Sequence, residues 1–497
     1  MREAWRVAAV RAAEEELMAR LPEGTLMQRA ATALARRAAL LLADWHGGVY
    51  GRSAMLIVGA GNNGGDAMYA GARLAGRGVS VRALLLEPDR VHAGGLAALR
   101  SAGGRVVADA SQPVDIVLDG IVGIGGKGAL RERAAAALAA IPGQPIVVAV
   151  DVPSGVDADT GDTPGDAVYA DVTVTFGCLK PGLLVGQGAY HSGLVDLVDI
   201  GLGPHLRNHS ALHLPNREDI ASWWPSPGAN SDKYTRGVVG VATGSAQYTG
   251  AAVLSVAGAC AGPAGMVRYA GGAGEQVRMH HPSVIVSERA ADAGRVQAWV
   301  CGSGLGTGER ASAELRTVLA SPVPVCLDAD ALTLLADGSL ATWLRRRDAP
   351  VVVTPHDREF ARLAGGLPGP DRVESALKLA SSLNATVLLK GDRTVVATPD
   401  GQALVNPTGT PSLATGGTGD VLAGLLGALL AAGLPPARAA VAAAYVHGLA
   451  GREAARHGPV TASDVATALG PVLASLLGPP AADGPSVSCV PGVPPAG

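Results

Sequence analysis

The feature that most constrains this chain is a repeated alternation of a short apolar run, a glycine-bearing loop and an Ala-rich helical stretch. It opens in AMLIVGAGNNGGDAMYAGARLAGRG and returns in VSVRALLLE, VDIVLDGIVGIGG and PIVVAVDVPSG. Runs that are apolar on both faces belong to strands covered on both sides, the condition of a parallel sheet with helices on its faces. Around Leu202 to Gly237 the pattern breaks into LGPHLRNHSALHLPNREDIASWWPSPGANSDKYTRG, whose Pro, Asn, Ser and charged residues mark a boundary. A second alternation begins at Gly237 with VVGVATG. It passes through Val296–Cys301, VPVCLDAD, APVVVTPH and TVLLKGDRTVVATPDG to an apolar helix after ATGGTGD. The glycine loops of the two halves differ in composition and place, so the second half is not a repeat of the first. The expected fold class is therefore α/β, in two domains. A length of 497 residues accommodates this at about 100–200 residues per domain.

Composition narrows the function. Apolar residues make up 48% of the chain and charged residues 17%, enough for large cores, yet aromatics are only 3%, so those cores are built from Ala, Val and Leu. The 68 Gly and 33 Pro reserve many backbone positions for turns and close approaches, so backbone is expected to carry much of the binding. A net charge of −3 supplies no basic footprint, which argues against nucleic acid and anionic membrane and for small molecules. Cys178, Cys260, Cys301, Cys326 and Cys489 are scattered, without disulfide or zinc spacing, and fit a reducing compartment. The start of the chain reads as a helix carrying Glu3, Glu14, Glu15 and Glu16 rather than as an export signal. The apolar stretch Val421 to Leu434 is shorter than the roughly 20 residues that span a bilayer, and it reads as a buried helix. A cytoplasmic location is expected. The last residues, 478–497, are Pro/Gly/Ala-rich and are expected to form a disordered tail.

In the first half, Gly59, Gly61 and Gly64 match GxGxxG between strand and helix, which by itself suggests a dinucleotide loop with Glu87 as a ribose acceptor. The loop continues, however, as Asn62, Asn63, Gly64, Gly65 and Asp66, placing amides and a carboxylate where that fingerprint has small residues. Two other strand ends finish in oxygen-bearing residues, Asp119 and the pair Asp151 and Ser154. Taken singly, each aspartate also reads as a turn or helix cap. In a parallel sheet these ends face a common crevice.

In the second half, Thr415-Gly-Gly-Thr-Gly-Asp420 precedes the apolar helix. Its glycines free backbone amides for an anion, the helix N-terminus adds positive potential, and Asp420 stands where a substrate hydroxyl can be deprotonated. There is no Walker GxxxxGK[ST] in this segment. Lys390, Gly391, Asp392, Arg393 and Thr394 end a strand with a cation and a hydroxyl suited to nucleotide phosphate or ribose, or else form a solvated turn. His356 follows a strand and a proline. Asp328 and Asp330 either hold Mg²⁺ or only terminate a strand.

GNNGGDAMYAGARLAGRG, DGIVGIGG and VDVPSGVDADTG, in that order, resemble the NAD(P)H-hydrate epimerase family over about 1–210. GSAQYTGAA, CGSGLGT, LDADAL, TPHDREFARL, LLKGDRT and NPTGTPSLATGGTGD are similar to the ADP-dependent NAD(P)H-hydrate dehydratase family, of the ribokinase-like superfamily, over about 215–477. The resemblance implies an N-terminal Rossmann-like parallel α/β sandwich and a C-terminal ribokinase-like α/β domain. It implies K⁺ on Asn63, Asp119 and Ser154, and a hydrate pocket lined by Asn62 to Asp66, by Gly123, Ile124, Gly125, Gly126, Lys127, Gly128 and Ala129, and by Asp151. It also sets Ala252, Gly304, Gly306, His356 and Asp420 against the hydrate in the second half, and Lys390 to Thr394 with Gly419 against the adenine nucleotide. The expectation is a bifunctional repair enzyme for NADHX and NADPHX, the hydrates of NADH and NADPH. Asp151 and Asp420 would be catalytic, Mg²⁺ would assist, ADP would be converted to AMP, and the chain would form a homo-oligomer. The alternative is a ribokinase-type small-molecule kinase whose N-terminal half is a non-catalytic nucleotide-binding module.

Overall fold

The computed structural model describes residues 1–478 apart from Asn208, Ser339 and His457. Beyond Gly478, the expected tail lies outside the described residues. Two sheets carry the molecule. The first consists of β2 (Ser53–Val58), β3 (Ser80–Leu85), β4 (Arg105–Val107), β5 (Ile116–Gly120), β6 (Ile146–Val150), β7 (Val172–Phe176) and β8 (Leu194–Val198), numbered after a short β1 (Arg2–Ala4). Its strands run parallel in the order β4-β3-β2-β5-β6-β7-β8. The central strands β5 and β7 are buried along their whole length, as strands sandwiched between helices must be.

The second sheet contains β9 (Leu212–Leu214), β10 (Val238–Ala242), β11 (Met266–Ala270), β12 (Ile285–Ser287), β13 (Ala298–Cys301) and β14 (Val325–Leu327), followed by β15 (Val351–Val353), β16 (Thr386–Leu389), β17 (Val395–Ala397) and β18 (Ala403–Val405). Its order is β1-β9-β18-β17-β16-β15-β14-β13-β10-β11-β12, parallel from β16 to β12, with β17 antiparallel to both β16 and β18. The first strand of the chain thus pairs antiparallel with β9, at the far edge of the second sheet. The adjoining Trp5 amide donates to the Leu179 carbonyl at 2.8 Å. Residues 2–5 therefore bind both halves.

The apolar stretch expected at 421–434 forms the helix Thr418–Ala431, which starts three residues earlier, inside the glycine loop. Twelve of its residues, from Val421 to Ala431 plus Thr418, are buried, so it is apolar on all sides because it is surrounded on all sides. Pro436 opens the following helix, Pro436–Ala455, at a position where a missing N–H costs nothing. A Cβ on Gly424 would overlap the Ser255 carbonyl, so the helix Thr249–Ala261 lies in near-backbone contact with this central helix. No described helix is long and apolar enough to cross a membrane.

Candidate active sites

In the first sheet the chain proceeds from β2 to β3 on one side and resumes at β5 on the other, so the loops after β2 and β5 flank the reversal, with that after β6 beside them. Crevices at such reversals are where open α/β sheets bind ligands. Residues 62–66 form the first turns of the helix Asn62–Ala75. Asp151 follows β6 at φ 67, a left-handed conformation that costs a non-glycine residue about 1–2 kcal/mol. Three donors hold it there: its Oδ1 accepts from Lys180 Nζ at 2.5 Å, Thr175 Oγ1 at 3.0 Å and the Phe176 amide at 3.3 Å. Lys180 is buried and spends its other two protons on Thr175 Oγ1 and the Phe176 carbonyl. The second oxygen of Asp151 remains, and a Cβ on Gly123 would lie 3.5 Å from it. Asp66 stands in the same crevice. Burial raises its pKa well above the usual carboxylate range, reinforced by Asp151 and Glu14, and its Oδ1 is enclosed without a hydrogen-bond partner. Glu14 is raised as well, by burial and then by Asp151.

Beneath these loops lies Asp119, fully buried. It accepts from the Ser154 hydroxyl at 2.7 Å, the Ser154 amide at 2.8 Å and the Ile121 amide at 3.2 Å. Burial pushes its pKa up to about 6 against those hydrogen bonds. The Asn63 Oδ1 would touch a Cβ on Gly123 at 2.9 Å, and its Nδ2 is buried without a partner. The Asp119 carboxylate thus takes its hydrogen bonds from one hydroxyl and two backbone amides, with no side-chain cation paired to it among the described residues. In the neighbouring loop Ile124 turns inward against the core, while Gly125, Lys127, Gly128 and Ala129 are exposed.

The second sheet reverses between β10 and β13, bringing the loops after β10, β13, β14 and β16 to one crevice. Gly417, at φ 90, turns the chain into the central helix, a conformation that favours glycine. The imidazole of His447, on the helix Pro436–Ala455, donates from Nε2 to the Thr418 carbonyl at 2.9 Å; burial lowers its pKa to about 4 and keeps it neutral. Burial, and then the Asp328 carboxylate, push Asp420 up to about 7. Lys390 Nζ donates to Asp328 Oδ1 at 2.7 Å and lies 3.5 Å from Glu359 Oε2. Burial pulls the ammonium down, but these two carboxylates outweigh it and raise its pKa. A Cβ on Gly419 would come within 3.6 Å of Lys390 Nζ, so this cation faces the first turn of the central helix. His356 caps the helix Asp357–Ala364: its Nδ1 accepts the Arg358 and Glu359 amides at 3.1 and 3.3 Å, which leaves Nε2 as the donor.

The structure thus gathers Asn63, Asp66, Asp119, Asp151 and Ser154 in one crevice and Lys390, Gly419 and Asp420 in the other. Ala252 is fully buried against Gly244, and Gly304 and Gly306 take left-handed turns after β13. Arg393 and Thr394 turn to the Pro407 and Gly391 carbonyls, and Asp392 forms an ion pair with its neighbour Arg393. Glu87 is not a free ribose acceptor, since Arg90 at 2.8 Å and Arg131 at 2.6 Å occupy its two oxygens. Asp328 is engaged by Lys390 and Thr354 on Oδ1 and by Ser303 on Oδ2, and Asp330 holds the Gly306 amide at 2.8 Å. Among the described residues no group of three His, Cys, Asp or Glu is placed for a metal. Asp328 and Asp330 are thus each held by their own hydrogen bonds in this crevice. Sequence reasoning missed Lys180, Thr175, Ser303 and His447; of these only Lys180 left a signal, as the one cation in the apolar stretch VTVTFGCLKPGLLVG.

Residues 23–182 match the family described as YjeF-related protein N-terminus, and residues 239–470 match that of NAD(P)H-hydrate dehydratase. A bifunctional NAD(P)H-hydrate repair enzyme from Mycobacterium leprae is 51% identical over 448 residues, covering 90% of this chain and 93% of its own. One from Mycobacterium tuberculosis is 50% identical over 441 residues, with coverage of 88% and 91%. Among solved structures, an ADP/ATP-dependent NAD(P)H-hydrate dehydratase from Bacillus subtilis, crystallised with ATP and Mg²⁺, is 28% identical with a TM-score of 0.48, covering 53% of this chain and 99% of its own. Matched in both halves and across nearly its whole length, this chain belongs to the family of bifunctional NAD(P)H-hydrate repair enzymes.

Proposed function

We propose that the chain repairs NADHX and NADPHX in two steps, epimerising the R and S hydrates in the first crevice and dehydrating the S form at the expense of ADP in the second. The observation that carries this reading is that each crevice holds an aspartate, Asp151 or Asp420, in a different proton environment. Epimerisation inverts the ring carbon that bears the added hydroxyl: a proton given to that hydroxyl lets its carbon–oxygen bond break with loss of water, the cationic ring takes water back on the opposite face, and that water returns a proton. Asp66, whose hold on a proton is strengthened by burial and by the Asp151 and Glu14 carboxylates, is the donor. Asp151, its Oδ1 saturated, offers Oδ2 to the ring or to the returning proton. Asn63, Asp119 and Ser154 would hold K⁺, which supplies a fixed positive charge beneath the loops and offsets the buried Asp119. The turns 62–66 and 123–129 enclose the hydrate.

In the second crevice hydroxide is a poor leaving group, so the hydroxyl is first phosphorylated. Asp420 takes the hydroxyl proton, the oxygen attacks the terminal phosphorus of ADP, and AMP leaves. The amides of the Gly416–Gly419 turn and the Lys390 ammonium carry the charge on the moving phosphoryl group. The carbon–oxygen bond then breaks with phosphate as leaving group, a ring proton is lost and the double bond is restored, giving the reduced cofactor, AMP and phosphate. Ala252, Gly304, Gly306 and the His356 Nε2 donor border the hydrate; Lys390, Gly391, Asp392, Arg393, Thr394 and Gly419 border the nucleotide. Assembly as a homo-oligomer in the cytoplasm belongs to the same reading. The test is to supply mixed hydrates with ADP and with ATP in parallel and to follow cofactor absorbance and free phosphate. Complete recovery with one phosphate per reduced cofactor is expected; a stable phosphorylated product would instead identify a small-molecule kinase.

A further inference from the structure

The helix Val7–Met18 precedes the matched N-terminal family region, which begins at residue 23, yet it lies along the first crevice. Val10, Ala13 and Leu17 are buried in the core beside the first sheet, and Val7 and Ile124 pack against Val152 and Val156 next to Asp151. The helix is anchored from the other half of the molecule. β1 pairs with β9 and Arg6 forms an ion pair with Asp371 at 2.8 Å, while within its own half the Val7 amide donates to Asp159 at 2.7 Å.

Arg11 projects from this helix over the loop after β5. A Cβ on Gly125 would meet its Nη2 at 3.2 Å, and among the described residues Arg11 makes no hydrogen bond and no ion pair. The turn below is closed by the Gly126 amide on the Gly123 carbonyl at 2.9 Å, and the Ile124 and Gly125 amides have no protein acceptor among the described residues. A guanidinium with free donors above unpaired backbone amides is built for an anion with several oxygens. Of the crevice carboxylates, Glu14, three residues further along the helix, feels the Arg11 charge without an ion-pair contact, so the guanidinium donors stay open.

We propose that Arg11 binds a phosphate of the dinucleotide hydrate against the Gly123–Gly126 turn, making the N-terminal helix part of the epimerisation site. The inference rests on the epimerase reading of this crevice. It gives the second half of the chain a part in the first reaction, since β9 and Asp371 fix the helix that carries the contact.

The experiment uses the full chain and two substrates, the hydrate of NADH and the hydrate of reduced nicotinamide riboside, which has the same ring without phosphate. Arg11→Ala and Arg11→Gln are expected to raise KM for epimerisation of the NADH hydrate about tenfold with kcat within about twofold, the loss of one charged hydrogen-bonding contact. KM for the riboside hydrate and the rate of dehydration stay unchanged, and Arg11→Lys recovers part of the loss. An unchanged KM for the NADH hydrate overturns the inference, as does an equal rise for the riboside hydrate. Failure of the unaltered chain to exchange the epimers removes the epimerase reading itself and is distinguishable from either result.

Discussion

The two crevices are built alike and charged differently. Each sits where a parallel sheet reverses its strand order, and each presents an aspartate at the opening. In the first, a buried lysine lies directly on the acid, 2.5 Å from Asp151 Oδ1. In the second, the lysine stands one carboxylate away: Lys390 is bound to Asp328 and faces Glu359, and Asp420 is left to burial and to Asp328, which push it up to about 7. The placement of the cation decides its effect. Set on the acid, it fixes one oxygen and leaves the other open, the one that would face the ring in the proposed epimerisation. Set behind a second carboxylate, it leaves the acid able to take a proton near neutrality and is itself available to a phosphate.

The contrast breaks most sharply at Asp420. Asp420→Asn removes the base while keeping the shape, and dehydration is expected to fall about a thousandfold in kcat with nucleotide affinity retained; equal loss of both would mean that the glycine turn had collapsed. Asp151→Ala is expected to slow epimer exchange about a hundredfold and to leave dehydration of the S hydrate untouched. Lys180→Met leaves Asp151 enclosed without its cation and should lower stability by about 3 kcal/mol, read from thermal or denaturant unfolding. Adding Asp151→Asn should return part of that stability, whereas additive losses would show that the pair is not coupled. The gentlest probe is pH. As the proposed base Asp420 would act ionised, and its pKa is raised to about 7, so below that pH kcat/KM for dehydration is expected to fall about tenfold per pH unit, levelling off above it. A dehydration profile flat down to pH 5 would remove Asp420 as the base.

The glycine loops carried most of what was legible in the chain. They announced parallel strands ending in open turns, which in the first half share a crevice, while the strand order that puts a reversal at each crevice is visible only in the fold. The GGTGD turn pointed to Asp420 because a bare helix cap needs no glycine run before it. Contacts between distant residues were not legible. Lys180 lies 29 residues beyond Asp151 and reaches it only because β6 and β7 are parallel neighbours. The three residues of β1 carry no strand pattern of their own and take an extended form because β9 receives them. Glu87 looked free in sequence because one of its partners, Arg131, comes from a loop 44 residues later. Arg11 was visible as part of a helix, but the turn it overlooks belongs to a different strand.

The most direct measurement supplies the R hydrate of NADH alone, with ADP, to the unaltered chain and to Asp151→Ala, and follows the return of reduced cofactor. The unaltered chain should convert all of it, while the variant should stall on the R form yet consume the S form at the normal rate. Equal consumption of the R form by both proteins would show that the first crevice performs no epimerisation.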